Sequence, residues 1–439
     1  MKKKILTILL ALAMMLTACS QNPETTKSSS SAGDSDTASD DDGNAAADTG
    51  IVLEMTGSQP GAIAEVTQKI LDNFTKETGI KVEYSTPANY EDVMRTRMAS
   101  NDLPDIFDTH GWSVMRYSEY MRPLNDQSFV SEIVPAIAPM VTAENSDVFV
   151  LPVNTFLRGV LFNRTVLEDN GINYLDIKTW DDFNDACATI KASGVYPITV
   201  GGKDPWTLGD LFNMTAASFY TNDDLPDAAE NQKAFKDGTF DWNKWKELCD
   251  MVDYWTQQGY FNVDVLTADY ASSCAQMGKN EAAFCFYGGI TVLEILSANP
   301  DANIGMMTVP AKTAAQKPSL VCGELVAYGV WKDTKQEDAA LQLINYLAKP
   351  ENMTAMATAL TSPAALQDIP SDTGPLQEYY DDAINNNTFT VPFFDRIYLP
   401  SGMYDDLCIT GASIVAKQNN AVADAVKQMK SSYEDKMAE

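Results

Sequence analysis

The sequence predicts an α/β protein of two similar lobes, and three observations carry that expectation. From Ile51 onward, alternating apolar runs typical of strands interleave with apolar residues spaced three and four apart, as on helices. The alternation restarts after Leu161-Phe162. About 390 residues follow the first fifty, too many for one ordinary core and suited to two.

In chain order, Ile51-Val52-Leu53-Glu54-Met55 reads as a short strand, and Ile63, Val66, Ile70 and Phe74 mark one face of a helix that Gly79 stops. Ile80-Lys81-Val82-Glu83-Tyr84 alternates as a second strand. A helix near Tyr90 to Ser100 leads into a third strand at Pro104-Asp105-Ile106-Phe107. Strand, helix, strand, helix, strand gives a parallel sheet with helices on its faces. In the restart, Thr179-Trp180-Asp181-Asp182 is a capping-box-like helix start, with Phe183, Ala186 and Ile190 on the buried face. Pro197-Ile198-Thr199-Val200 is the next strand. Trp245, Leu248, Val252 and Trp255 form a helical core stripe stopped by Gly259. Ala282-Ala283-Phe284-Cys285-Phe286-Tyr287 is a nearly continuous apolar strand ended by Gly288-Gly289, and Ile414, Val422, Val426 and Met429 mark a last amphipathic helix.

The first fifty residues are of another kind. Lys2, Lys3 and Lys4 precede an apolar run from Ile5 to Leu16 broken only by Thr7, a secretion signal too short to span a bilayer stably. Leu16-Thr17-Ala18-Cys19 matches the bacterial lipobox, so residues 1–18 are expected to be removed and Cys19 to carry lipid. Several acyl chains suffice for stable attachment to a membrane. Residues 19–50 hold Ser, Thr, Asp, Ala, Gly and Asn, a composition that cannot offset its ordering entropy and reads as a disordered tether.

The formal charge is −30, from 61 acidic and 31 basic residues, which makes nucleic acid and anionic lipid poor partners. Beyond Cys19 stand Cys187, Cys249, Cys274, Cys285, Cys322 and Cys408; no C-x-x-C occurs, and buried free thiols are expected. A nucleophilic triad needs a histidine base, and His110 is the only one in the chain. G-x-S-x-G, G-x-G-x-x-G and the P-loop pattern are missing, and no metal or cofactor is expected. Only paired carboxylates, as in a secreted glycosidase, remain as catalytic chemistry.

A colinear set of short patterns is more specific. Phe74-x-x-x-x-Gly79-Ile80-x-Val82, Leu103-Pro104-Asp105-Ile106 and Met121-Arg122-Pro123-Leu124-Asn125 come first. Gly159-Val160-Leu161-Phe162-Asn163-Arg164, Asn170-Gly171-Ile172, Gly259-Tyr260-Phe261, Met277-Gly278-Lys279-Asn280-Glu281-Ala282-Ala283-Phe284 and Gly305-Met306-Met307-Thr308-Val309-Pro310 follow. In this order the set resembles the family 1 extracellular solute-binding lipoproteins of bacterial carbohydrate ABC importers, from Ile51 to about Ala357; the tail follows the family loosely. The resemblance implies a two-lobed periplasmic-binding-protein-like fold with discontinuous lobes and a hinge cleft that closes on sugar. It implies lobe 1 at 51–156 and 288–322, and lobe 2 at 157–287 and 323–439. A monomer that binds a small carbohydrate and delivers it to ABC permease subunits, anchored outside the cell membrane and not catalytic, is the expected function. The same fold could carry a non-sugar solute or serve a sensor partner.

A sugar cleft needs aromatic platforms for ring faces and carboxylates or guanidinium groups for hydroxyls. The candidates are Trp112 and His110 after the third strand, Trp206 after Pro205 in a Gly-rich loop, and Tyr287 before Gly288-Gly289. Glu324 and Arg158 stand where the chain is expected to cross between lobes, with a hinge salt bridge as the other reading of Arg158. Asp395, in the dipeptide Asp395-Arg396, is a candidate in the tail.

Overall fold

The computed structural model describes residues 46–386 and 388–438; the signal, Cys19 and residues 19–45 of the expected tether lie outside them. Residues 46–50, expected as the end of that tether, are held instead against the end of the first helix. The Ala46 N–H donates to the Lys76 carbonyl at 2.9 Å, and the Thr49 hydroxyl donates to the Gly79 carbonyl at 3.0 Å.

Among the described residues twelve strands run in chain order: β1 (Val52–Thr56), β2 (Lys81–Ser85), β3 (Ile106–Asp108), β4 (Val150–Pro152), β5 (Phe156–Arg158) and β6 (Val160–Asn163). Then come β7 (Tyr196–Ile198), β8 (Ala282–Cys285), β9 (Ile304–Met307), β10 (Leu320–Gly323), β11 (Ala327–Val330) and β12 (Thr390–Pro392). They form a five-stranded sheet in the order β2-β1-β3-β11-β4, a four-stranded sheet β7-β8-β6-β9 and a three-stranded sheet β12-β10-β5. β1 is parallel to β2 and β3, as expected for strands joined by crossover helices. β11 enters antiparallel between β3 and β4.

Local sequence explains the elements that matter here. The helix Ala62–Thr78 buries Ile63, Ile70 and Phe74, and ends where Gly79 takes φ 75°, a left-handed conformation natural to glycine. The helix Trp180–Ala192 opens on a true capping box: Thr179 Oγ1 accepts from the Asp182 N–H at 3.2 Å, while Asp182 accepts from the Thr179 N–H at 2.8 Å. The Trp245 stripe lies wholly inside, and Gly259 caps its helix, Lys246–Gln258. The expected last helix is two helices, Met403–Val415 and Ala421–Met437, because Lys417 and Asn420 adopt positive φ between them. All six described cysteines are buried and free.

Two hydrophobic cores result. One gathers Leu53 to Val153 and Val326 to Leu366 around the five-stranded sheet; the other gathers Phe156 to Cys322 and Leu376 to Tyr433 around the remaining strands. The chain therefore passes between cores near Asn154, near Glu324 and between Leu366 and Leu376. The expected allotment of 288–322 to lobe 1 and all of 323–439 to lobe 2 does not match these cores. β9 pairs with β6, which puts it in the second core, whereas β11 pairs with β3 and β4 and puts 326–366 with the first.

Candidate functional site

The polar and aromatic groups of interest converge where the crossings lie. On the first core's side, β3 ends in Asp108, and a tight turn follows in which His110 and Gly111 both take positive φ, 51° and 63°. Asp108 is fully buried and organises this turn: Oδ1 accepts from the N–H groups of His110 (2.9 Å) and Ala327 (3.0 Å), and Oδ2 accepts from Ser58. Burial raises its pKa, and those hydrogen bonds oppose the rise. A side chain at Gly111 would run into the Arg396 guanidinium, so the glycine is what lets that arginine approach the turn.

The turn presents Trp112 to a pocket lined also by Ser113, Met140, Glu324, Phe393 and Arg396. Its volume is about 10 Å³, the room of one water rather than a sugar ring. Glu324 is 2% exposed, and its Oε2 has no hydrogen-bond partner. Arg396 Nη1 donates to the Glu324 carbonyl at 2.9 Å and stands 3.6 Å from its carboxylate, a charge contact longer than a hydrogen bond. Burial pushes the Glu324 carboxyl up to about 7, and Arg396 only partly offsets it.

From Arg396 the network continues into the second core. Phe393 lies between two guanidinium groups, with Arg396 4.0 Å and Arg158 5.3 Å from its ring centre. Arg158 and Asp210 form a buried ion pair, and Asp210 also accepts from the Tyr404 hydroxyl at 2.8 Å. That hydroxyl is 3.0 Å from the Trp206 carbonyl as well. Trp206 is 38% exposed and leans on Tyr270 (5.0 Å between ring centres) and Tyr287 (5.6 Å).

Trp112 and Glu324 thus share one pocket, and Trp206 offers a half-open aromatic face on the same network. Trp206 is not in a loop, however: Pro205 precedes it and it begins the helix Trp206–Tyr220. Tyr287 is fully buried, and its hydroxyl accepts from the Gly201 N–H at 2.9 Å, so it backs Trp206 and presents no face of its own. Arg158, on β5, is occupied by Asp210, on the helix Trp206–Tyr220, both elements of the second core. Asp395 is buried against Asn213, accepting from Nδ2 at 2.8 Å, and its neighbour Arg396 is the one that reaches the pocket. His110 does not line this pocket; it stands between Gln59 (3.3 Å) and Glu91 (3.4 Å), and the His110 contact holds the Glu91 carboxyl below its ordinary range. Sequence reasoning missed Asp108, Asp210, Tyr270 and Phe393. Asp108 had a signal, as the last residue of an apolar strand before a glycine turn; the others become relevant only through pairing distant in sequence. Among the described residues no group of three or more His, Cys, Asp and Glu is placed to hold a metal.

Known proteins share this architecture. A sugar transporter of Bacillus licheniformis, solved in complex with stachyose, superposes with a TM-score of 0.76 at 30% identity, over 88% of this chain and 100% of that one. A putative binding protein of Bacillus subtilis subsp. subtilis str. 168 in an open conformation gives a TM-score of 0.80 at 29% identity, over 88% and 98%. The melibiose/raffinose/stachyose-binding protein MelE of Bacillus subtilis (strain 168) is 32% identical over 357 residues, 80% of this chain and 81% of its own length. The family described as bacterial extracellular solute-binding protein matches residues 57–354. Two cores joined by repeated crossings, a pocket at the junction and these relatives agree: this chain belongs to the bacterial extracellular solute-binding proteins.

Proposed function

We propose that the chain is the carbohydrate-capturing component of a bacterial ABC importer, taking an oligosaccharide of the melibiose, raffinose and stachyose kind between its lobes and delivering it to the membrane permease. The observation that carries this is the 32% identity to MelE across four-fifths of both chains. The residues suit such a ligand. Trp206 offers an apolar face for a ring, while Trp112, Glu324 and Arg396 bring a second aromatic, an acceptor and donors to the junction. In this reading Arg158, Asp210 and Asp395 fix the frame and Tyr287 supports Trp206. The lobes are proposed to follow the cores, with 326–366 in the first. The protein is a monomer, leaves its sugar unchanged, and works outside the cell membrane, held by lipid on Cys19.

Isothermal titration of purified protein with raffinose, stachyose and melibiose tests capture; the expected result is saturable binding with the sugar recovered intact. Trp206→Ala is expected to weaken binding about 10- to 100-fold, as loss of a central aromatic anchor does, and an unchanged Kd removes Trp206 from the site. Anchoring has its own readout: in cells fed radiolabelled palmitate the wild-type protein is expected to take up label and Cys19→Ala is not. Equal labelling of the variant disproves lipid attachment at Cys19.

A further inference from the structure

We propose that sugar capture by this protein is coupled to release of a proton from Glu324, so that affinity rises with pH across the neutral range. The inference rests on the carbohydrate-capture reading and adds to it a titrating group at the junction of the lobes. Glu324 lies in the short segment joining β10 to β11, at the second crossing between cores. Its Oε2 is buried without a partner in a pocket shared with Trp112 and Arg396.

The charged and titratable groups around it come from every neighbouring element. Arg396, on the helix Phe394–Tyr398, is the cation, at 3.6 Å. Asp108, at the end of β3, acts against ionisation. Tyr117, on the short helix Val114–Tyr117, has a hydroxyl that is also buried without a partner, and Cys322 of β10 is a buried thiol. One arginine beyond hydrogen-bond reach does not compensate the dehydration of the carboxylate, so the carboxyl titrates near neutrality in the empty protein.

What Oε2 lacks is a hydrogen donor; the pocket beside it has the room of one hydroxyl, not of a ring, and a sugar held between the lobes supplies that hydroxyl. When a hydroxyl donates to Oε2 it favours the carboxylate. The Glu324 O–H bond breaks, the proton passes to a buffer base in solvent, and a charge-assisted hydrogen bond from the sugar takes its place. The sign follows from linkage. The ligand prefers the deprotonated protein, so affinity is depressed below the carboxyl's raised pKa and reaches a plateau above it.

The test is isothermal titration of the intact protein with raffinose at pH 7, in buffers that differ in ionisation enthalpy, and then from pH 5.5 to 8.5. The expected result is an observed enthalpy that varies with buffer, corresponding to release of roughly half a proton at pH 7. Affinity is expected to rise about tenfold per pH unit on the acid side and to level off above pH 8. Glu324→Gln is expected to bind raffinose more weakly than wild type at pH 8, with no buffer dependence. A buffer-independent enthalpy with firm raffinose binding overturns the proton link and leaves capture standing. Proton uptake in place of release overturns it as well, and a Glu324→Gln protein that keeps the wild-type pH profile moves the proton to another group. No heat with raffinose, stachyose or melibiose at any pH overturns the capture reading itself. The wild-type buffer series decides the matter even if the variant does not fold.

Discussion

Asp210→Ala is expected to destabilise the protein by about 3–5 kcal/mol, because it leaves the Arg158 guanidinium buried and uncompensated. Both partners of this pair are about 7% exposed in their side chains. Arg158 lies against the rings of Phe156 and Phe393, and its Nε already lacks a partner. Water therefore has little access with which to replace Asp210. The conservative control is the double variant Arg158→Met, Asp210→Leu. Removing both charges together removes both dehydration costs, so the double variant is expected to lie near wild type and above either single variant. Denaturant midpoints for wild type, Arg158→Met, Asp210→Leu and the double variant form a double-mutant cycle. A loss under about 1 kcal/mol for Asp210→Ala would show that the pair is hydrated and contributes nothing to the frame. The pair joins β5 to the helix that carries Trp206, so a destabilised pair is also expected to loosen that platform.

Asp108→Ala is the second large effect, on the order of 3–5 kcal/mol. One buried carboxylate accepts from the backbone N–H groups of Ser58, His110 and Ala327 and from the Ser58 hydroxyl. Alanine orphans all of these donors at once, and each buried unsatisfied group costs about 1–3 kcal/mol, reduced where water enters. Asp108→Asn keeps one acceptor oxygen and is expected to recover part of the loss. Because Asp108 holds the turn that carries Trp112, the alanine variant is expected to lose raffinose affinity more than fold: urea melts and titrations on the same preparation separate the two. Unchanged stability in Asp108→Ala would mean that the turn is held by the Gly111 approach to Arg396 and not by the carboxylate.

Much of this fold is legible from periodicity because its helices are one-sided. The Ala62–Thr78 and Lys246–Gln258 helices announce themselves by their stripes, and Thr179 and Asp182 by their spacing. The helix Trp206–Tyr220 gives no such signal: every residue from Thr207 to Tyr220 is buried, so there is no polar face to set a period. The allotment of strands to lobes is illegible for a related reason. β9 and β11 are both short, fully buried apolar runs, and only their pairing with β6, or with β3 and β4, distinguishes them. In the site, Trp112 and Glu324 are legible because each follows a strand in a glycine-marked turn. The occupations of Arg158 by Asp210 and of Tyr287 by Gly201 are not, since a partner 52 or 86 positions away leaves no local trace.

The place of β11 in the first sheet has a consequence for how the protein is made. Ala327 meets Asp108 across 219 positions of chain, and β11 fills the gap between β3 and β4. As the chain emerges from its amino end, β1, β2, β3 and β4 are present long before the strand that joins them. Until Val330 arrives, β3 and β4 each present an open hydrogen-bonding edge, the kind of surface on which chains misassociate. Pairings this distant in sequence also close slowly. The five-stranded sheet is thus begun first and completed late, and its two unpaired edges stay open to other chains in the interval.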